Sequence, residues 1–469
     1  MASSAKLSPS GRRAVLGGTI GTVIEYYDLA IYGAAAALVF SPLFFPNVSP
    51  TVGVLASFAT FAIGFFARPL GGLVIGHFGD KFGRKPALMT TIIMMGVATV
   101  GIGLLPTYST IGIWAPLLLV LLRIVQGMGA GAELAGAFTL IIESTPQRRR
   151  TFYVSLGSAA VSAGLTLASV VFLAVSALPR EVVLDWAWRV PFLASSVIFA
   201  LAYFIRRHLE ESPEFLAAQS AAETGKQKRI PVVELLRERR REVFIGFLAM
   251  TGIGVFTFVL NTYILTYLTQ NLGLGKPLAL TALICATGIG IFVAPLMGRL
   301  GDVYGAGRVF LAGSLFSAAV IAPLFLMLDT RNPILVVVGL TVAYVVGWGA
   351  MSGCHAPFLT DLFEPRYRFT AISLTREVNG GVFGGTAPFV AATLVGAADG
   401  RPWYLVLYVV LACGLITPVA ILIGLNRARR IVDQRHAADR PVLEETNADE
   451  SDDLSVSVAQ APTGTLGTP

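Results

Sequence analysis

Charge is what this sequence has least of. Only 13% of its 469 residues are Asp, Glu, Lys or Arg, and 55% are hydrophobic, whereas a soluble globular domain carries roughly 25% charged residues. That shortage excludes a water-exposed surface over most of the chain. Cysteine is scarce as well: Cys285, Cys354 and Cys413 stand singly in apolar runs, which argues against a disulfide framework or a cysteine zinc site and leaves them as small hydrophobes. His77 and His208 fall in polar segments, and His355 has no second histidine at ligand spacing, so no metal and no other cofactor is expected. A cleavable signal peptide is not evident, because the first apolar run is too long for an h-region and no convincing small-residue cleavage site follows it.

What the chain does contain is a succession of apolar runs, each long enough to cross a hydrocarbon core of about 30 Å at about 1.5 Å per residue. There are twelve, near 14–41, 52–76, 87–105, 112–141, 152–178, 188–205, 243–268, 278–298, 309–328, 333–361, 370–396 and 402–426. Most of the 35 lysines and arginines lie in the N-terminus, the even-numbered loops and the C-terminal segment. Only Arg180, Arg189, Lys276, Arg331 and Arg401 fall at odd-numbered loops, while Arg68, Arg123 and Arg376 lie within spans. By the positive-inside rule both termini and the even loops are expected to be cytoplasmic. The net charge of +7 is therefore a topology signal, and no nucleic-acid partner is expected.

Residues 206–242, the longest internal polar stretch, divide the spans six and six and read as a cytoplasmic linker. Residues 1–13 form a cytoplasmic N-terminus. Residues 427–469 begin basic and end acidic and Ser/Thr/Pro-rich, too polar to bury a core, so a disordered cytoplasmic tail is expected. An internal repeat links the halves: Gly76-x-x-Gly79-Asp80-x-x-Gly83 after the second span recurs as Gly298-x-x-Gly301-Asp302-x-x-Gly305 after the eighth. Two duplicated six-helix bundles, 14–205 and 243–426, fit that echo, and such halves place a substrate site near the midplane between them.

The segment GTVIEYYDLAIYG, residues 21–33, sets Glu25 and Asp28 inside an apolar span. Gly21, Glu25, Asp28 and Tyr32 follow at steps of four, three and four and so share one helical face, which must look into protein or a wet cavity. At about 1.5 Å per residue from the cytoplasmic ends, Glu25 lies about 14 Å deep, Asp28 about 18 Å, Arg68 and Glu133 about 12 Å, and Arg123 about 27 Å. Depth alone allows Arg68 to meet Glu25 or Glu133, and Arg123 to meet Asp28 or a substrate anion. Arg376 and Glu377 are adjacent, point about 100° apart and are not expected to pair with each other. Desolvation and a neighbouring arginine act in opposite senses on a carboxylate's proton affinity, which is how a buried carboxylate can switch near physiological pH. Asp28 is the first choice for such a switch and Glu25 the second, with Glu133 a third.

In the loop GHFGDKFGRKP, residues 76–86, Gly79 and Gly83 suit a tight turn, Asp80 can cap the following helix or pair with a basic end, and Lys81, Arg84 and Lys85 hold the loop inside. GMGAGAELAG (127–136) has spaced glycines but follows no strand, so close helix packing is the reading and nucleotide binding is not. Asn261 and Tyr263 in NTYILTY, and Asn379 after Arg376, place polar groups within second-half spans.

The stretch GHFGDKFGRK resembles the loop motif between the second and third spans of the major facilitator superfamily. Within it, GTVIEYYDLAIYG, the FFP at 44–46, residues 68–88, RIVQGMGAGAELAGA (123–137), DWAWRVPFL (185–193) and ESPEF (211–215) are similar to the metabolite:proton symporters. That resemblance implies an all-α membrane protein of twelve transmembrane helices in two six-helix bundles, in the cell membrane. It implies proton-coupled import of a small polar metabolite, an organic acid or a zwitterion, with no enzymatic activity. Tyr26 and Leu29 stand where the family has Trp and Phe, and Leu134 and Ala135 where it has Trp and Gly, departures that bear on substrate identity.

On this reading Tyr32, Arg68, Arg123, Gln126, Asn261, Tyr263, Arg376 and Asn379 bind substrate. Gly76, Gly79, Asp80, Gly83, Arg84 and Asp302 form the conformational loops, and the protein is a monomer. The loop motif does not fix direction, so efflux or exchange by the same fold stays open, as does a non-transporting metabolite sensor.

Overall fold

The computed structural model describes residues 9–82, 84–131, 149–207, 232–363 and 367–427. Among these the secondary structure is helical, with no strands. Twelve long helices carry the fold: α1 Pro9–Leu38, α2 Pro50–Phe82, α3 Arg84–Leu104, α4 Trp114–Gly131, α5 Arg150–Ser176 and α6 Val190–Arg207 in the first half. The second half has α7 Arg240–Asn271, α8 Lys276–Tyr304, α9 Ala306–Asp329, α10 Pro333–Leu362, α11 Thr370–Ala397 and α12 Trp403–Arg427. Among the described residues, nine helices are long and apolar enough to cross a membrane. The apolar stretches of α3 and α6, Met89–Leu104 and Ala187–Leu201, are shorter, and α1 carries the two acidic residues Glu25 and Asp28.

The helices begin and end for local reasons. Pro277 and Pro333 occupy first-turn positions of α8 and α10, where a missing N–H costs nothing. Asn332 caps α10, its Oδ1 accepting from the N–H groups of Ile334 and Leu335. Gly305 separates α8 from α9 at φ +91°, a backbone state that a side chain would strain. Large apolar side chains face outward along the helices, and Trp114, Trp186, Trp403 and Tyr404 are exposed near the ends joined by odd-numbered loops, the position of an interfacial aromatic belt.

Within the halves, α2 packs along α4, α3 against α4 and α6, α1 along α5, and α9 along α10. Between the halves, α8 lies along α5, α2 meets α11, and α1 meets α7. Glycine sets the α2–α4 approach: an ideal Cβ on Gly127 would fall 2.0 Å from Gly64 O, and one on Gly131 would fall 1.9 Å from Arg68 O. The spaced glycines of residues 127–136 that are described thus serve close packing, as small residues do in membrane helices. Five segments have π-helical hydrogen bonding: Val259–Tyr263 and Tyr267–Asn271 in α7, Ala343–Trp348 in α10, Gly380–Gly384 in α11 and Leu411–Ile416 in α12. All five lie in the second half among the described residues, and no sequence pattern announced them.

The first repeat element is corrected in one respect. Gly79, expected in a tight turn, is helical together with Gly76 and Asp80, because α2 continues through Phe82; Arg84 opens α3. Gly83 lies outside the described residues. In the echo, Gly298 and Gly301 are likewise inside α8, where they permit close approach to Ser155 and Thr151 of α5. Positive φ is left to Gly305 alone in that motif.

Candidate functional site

The buried charges of α1, α2 and α4 meet in two connected groups. In the first, both oxygens of Asp28 are engaged: Oδ1 accepts from Thr99 Oγ1 of α3 at 2.5 Å and Oδ2 from Gln126 Nε2 of α4 at 2.5 Å. Gln126 Nε2 also donates to Thr99 Oγ1 at 2.8 Å, while its Oε1 accepts from Arg123 Nη1. Asp28 and Arg123 are each 3% exposed, deep enough that a lone charge would carry a large desolvation penalty. The amide of Gln126 therefore connects a carboxylate on one helix to a guanidinium on another.

Arg123 is held flat. Its guanidinium carbon lies 3.9 Å from the centre of the Tyr32 ring and 5.3 Å from that of Phe61, and Nη2 donates to Phe61 O at 3.2 Å. Gly64 makes room, since an ideal Cβ there would sit 2.8 Å from the guanidinium. Thr60 gives its own proton to Ser57 O, so in the 2.6 Å contact Tyr32 OH is the donor to Thr60 Oγ1. That bond fixes the ring on which the cation rests, an arrangement worth about 2 kcal/mol or more when desolvated.

The second group spans the two halves. Arg68 Nη2 pairs with Glu25 Oε1, and Arg68 Nε lies 3.7 Å from Glu377 Oε2 on α11. Arg376 turns away from Glu377 and donates through Nη2 to Tyr26 OH at 3.3 Å. Adjacent residues on a helix diverge by about 100°, and here one reaches α2 and the other α1. Of the two pairings that depth allowed for Arg68, the structure contains the one with Glu25; Glu133 lies outside the described residues.

Asn379, Asn261 and Tyr263 of the second half do not join this cluster. Asn379 Nδ2 donates to Phe247 O at 2.8 Å and to Thr251 Oγ1 at 3.3 Å, tying α11 to α7. Asn261 Nδ2 bonds Thr257 O one turn back in its own helix. Tyr263 is buried against Phe58 of α2, with ring centres 6.4 Å apart. Tyr267, one turn on, donates to Asp329 Oδ1 at 2.6 Å. His355 is buried with Nδ1 2.8 Å from Ser352 O.

At the end carrying the even-numbered loops, Asp302 reaches the other half. Its Oδ1 accepts from Thr151 N at 2.9 Å and its Oδ2 from Phe152 N at 3.1 Å. The carboxylate thus satisfies first-turn donors of α5, not those of the next helix, α9. Arg299 lies over the Phe152 ring at 4.9 Å in the same contact.

A helical bundle of this length with buried arginine–carboxylate groups at the junction of its halves is the architecture of a membrane transporter. The chain belongs to the Major Facilitator Superfamily, whose profile matches residues 18–388. It is 38% identical over 414 residues to the shikimate transporter of Escherichia coli (strain K12), covering 88% of this chain and 94% of that protein. It is also 38% identical over 395 residues to the inner membrane metabolite transport protein YhjE of the same organism, covering 82% and 88%. Among solved structures it is similar to a D-xylose-proton symporter, with a TM-score of 0.67 and 20% identity over 87% of this chain and 96% of that one; that likeness supports the fold. The protein is a multi-pass membrane transporter with the all-α, two-bundle fold of this superfamily and is not an enzyme.

Thr99, Thr60 and the carbonyl of Phe61 are participants that the sequence did not single out. A threonine in an apolar helix bonds its own backbone more often than a distant carboxylate. Thr99 could be recognised only once α1 and α3 were side by side.

Proposed function

We propose that this protein is a proton-coupled symporter that brings a small organic acid into the cell by alternating access. The observation that carries the reading is the chain Asp28–Gln126–Arg123, in which a buried carboxylate and a buried arginine are joined through one amide. A proton arriving at Asp28 removes the charge that Gln126 faces. An organic acid arriving at Arg123 supplies a new negative charge, for which the guanidinium offers a bidentate fork. Proton and substrate then stabilise the same loaded state, which is the thermodynamic content of symport. The resemblance to the shikimate transporter favours a carboxylate as the substrate class.

On this reading residues 14–205 and 243–426 rock against each other around the charged cluster, and 206–242 is the cytoplasmic link between them. The basic even-numbered loops support a cytoplasmic location for both termini. The Arg68–Glu377 pair and the Asp302 cap on α5 hold the cytoplasmic ends together until the substrate is released. Tyr32 acts by positioning Arg123, and the protein works as a monomer in the cell membrane.

Uptake of labelled shikimate and other small organic acids into proteoliposomes tests the proposal. Accumulation against a concentration gradient when the outside is made acidic, and its collapse when the pH gradient is dissipated, is the expected result. Failure of every small organic acid to accumulate under that gradient overturns it.

A further inference from the structure

Inside the first half, between α1, α2, α3 and α4, lies a cavity of about 20 Å³ lined in part by Glu25, Asp28, Arg123 and Gln126, with Met95 and Ala130 in its apolar wall. A water needs roughly 10–15 Å³ by this measure, so the space suits one water and is too small for a metabolite. Two of the charged side chains lining it carry an unsatisfied atom: Glu25 Oε2 and Arg123 Nε are buried with no hydrogen-bond partner among the described residues. Leaving a charged group's atom unsatisfied in the interior is costly, and buried waters typically settle where such groups converge. Asp28 adds a third partner, because each of its oxygens accepts one bond and keeps a further lone-pair site.

We propose that this cavity is a water site and that its water carries the coupled proton between Asp28 and Glu25. The proposal rests on the symport reading given above. The two carboxylates are three residues apart on one face of α1, neighbours on a helix but not in direct contact range for every rotamer, and a single water closes that gap.

The step balances. With Asp28 protonated and Glu25 ionised, the O–H bond at Asp28 breaks as its proton passes to the water. The water gives up one of its own protons and an O–H bond forms at Glu25 Oε2, leaving the water unchanged. Arg123 Nε anchors the water oxygen throughout, since a guanidinium can donate but not accept.

The charged groups facing this pair are Arg68 from α2, Arg123 from α4, and Glu377 with Arg376 from α11. From α3 the facing group is Thr99, and α5 presents the small Gly164 to this stretch of α1. Once Glu25 takes the proton, its ionic hold on Arg68 weakens while the contact of Arg68 with Glu377 across the halves persists. The relay thus delivers the proton to the contact between the two halves. It gives Glu25 a role distinct from that of Asp28: Asp28 receives the proton, and Glu25 converts it into a change at the interface.

Two measurements test the water site. A density map of the wild-type protein, fine enough to show buried waters elsewhere, is expected to contain a water within hydrogen-bonding distance of Glu25 Oε2 and Arg123 Nε. Density absent there overturns the proposal. In proteoliposomes, Ala130→Val fills the cavity while leaving every charge in place, and the rate of substrate-induced proton uptake is expected to fall by about a hundredfold. Wild-type proton uptake in that variant overturns the relay. If the wild-type protein itself takes up no proton with substrate, the symport reading has failed; if it does so but the map lacks the water, only the relay has failed.

Discussion

Arg68 and Glu377 meet across the two halves of the protein, Nε to Oε2 at 3.7 Å, while the same guanidinium is held by Glu25 within its own half. One arginine thus answers to two carboxylates that belong to parts of the protein expected to move apart. Removing either carboxylate changes which half the arginine serves.

Glu377→Gln removes the interface partner and keeps the side chain's shape. Spin labels on the even-loop ends of the two halves are expected to report a larger population of separated distances. A coupling of about 1–3 kcal/mol corresponds to a shift of roughly five- to 150-fold in the ratio of states. An unchanged distance distribution would show that the pair carries no closing energy.

Asp302 gives a second, independent hold at that end. Replacing it by alanine strips two acceptors from the first turn of α5 and costs the closed state about 1 kcal/mol. Cys354 is a built-in reporter, because its buried thiol lies 2.8 Å from where a Cβ on Gly301 would be. In a background of Cys285→Ser and Cys413→Ala, alkylation of Cys354 by N-ethylmaleimide is expected to speed up about fivefold in Asp302→Ala. Asp302→Asn, which keeps one acceptor, is expected to fall between the two.

Gly127→Ala tests the packing that seats Arg123. A Cβ at that position would lie 2.0 Å from Gly64 O, a backbone atom that cannot rotate away. The helices must separate, at a cost of about 1–3 kcal/mol. Thermal unfolding in detergent is expected to shift downward, and an unshifted transition would mean that α2 and α4 are not in contact there.

Arg123→Lys separates charge from shape. An ammonium keeps the positive charge but cannot at once serve Phe61 O, Gln126 Oε1 and the Tyr32 ring, and it loses the bidentate fork. The KM for the organic acid is expected to rise about ten- to a hundredfold, the loss of roughly one charge-assisted hydrogen bond of about 1.5–3 kcal/mol. A KM equal to wild type would place the substrate elsewhere.

Much of this architecture could be read from the chain itself. Twelve apolar runs and the Gly–Asp–Gly echo point to the helices and their two sets, because hydrocarbon thickness imposes length and leaves few alternatives. Helical spacing put Glu25 and Asp28 on one face, and counting residues along spans brought Arg68 and Arg123 to reachable depths. The resemblance implies a substrate-binding role for Gln126, but its place between Asp28 and Arg123 depends on how α1 and α4 rotate about their axes, which no single sequence states. The repeat sets Asp302 in a conformational loop; that its partners are the backbone N–H groups of Thr151 and Phe152 in α5, 151 and 150 residues away, is a fact of tertiary packing. The π-helical turns of α7, α10, α11 and α12 were invisible for a similar reason, since one extra residue per turn leaves apolar composition unchanged.

Asp28 is proposed to couple a proton to the movement of an organic acid. Proteoliposomes in lightly buffered medium, with a pH-sensitive dye outside, measure it directly when substrate is added. The wild-type protein is expected to make the medium more alkaline in step with substrate uptake, and Asp28→Asn is expected to abolish the pH change. Substrate uptake with no pH change in the wild type, or a pH change of wild-type size in Asp28→Asn, would contradict that coupling.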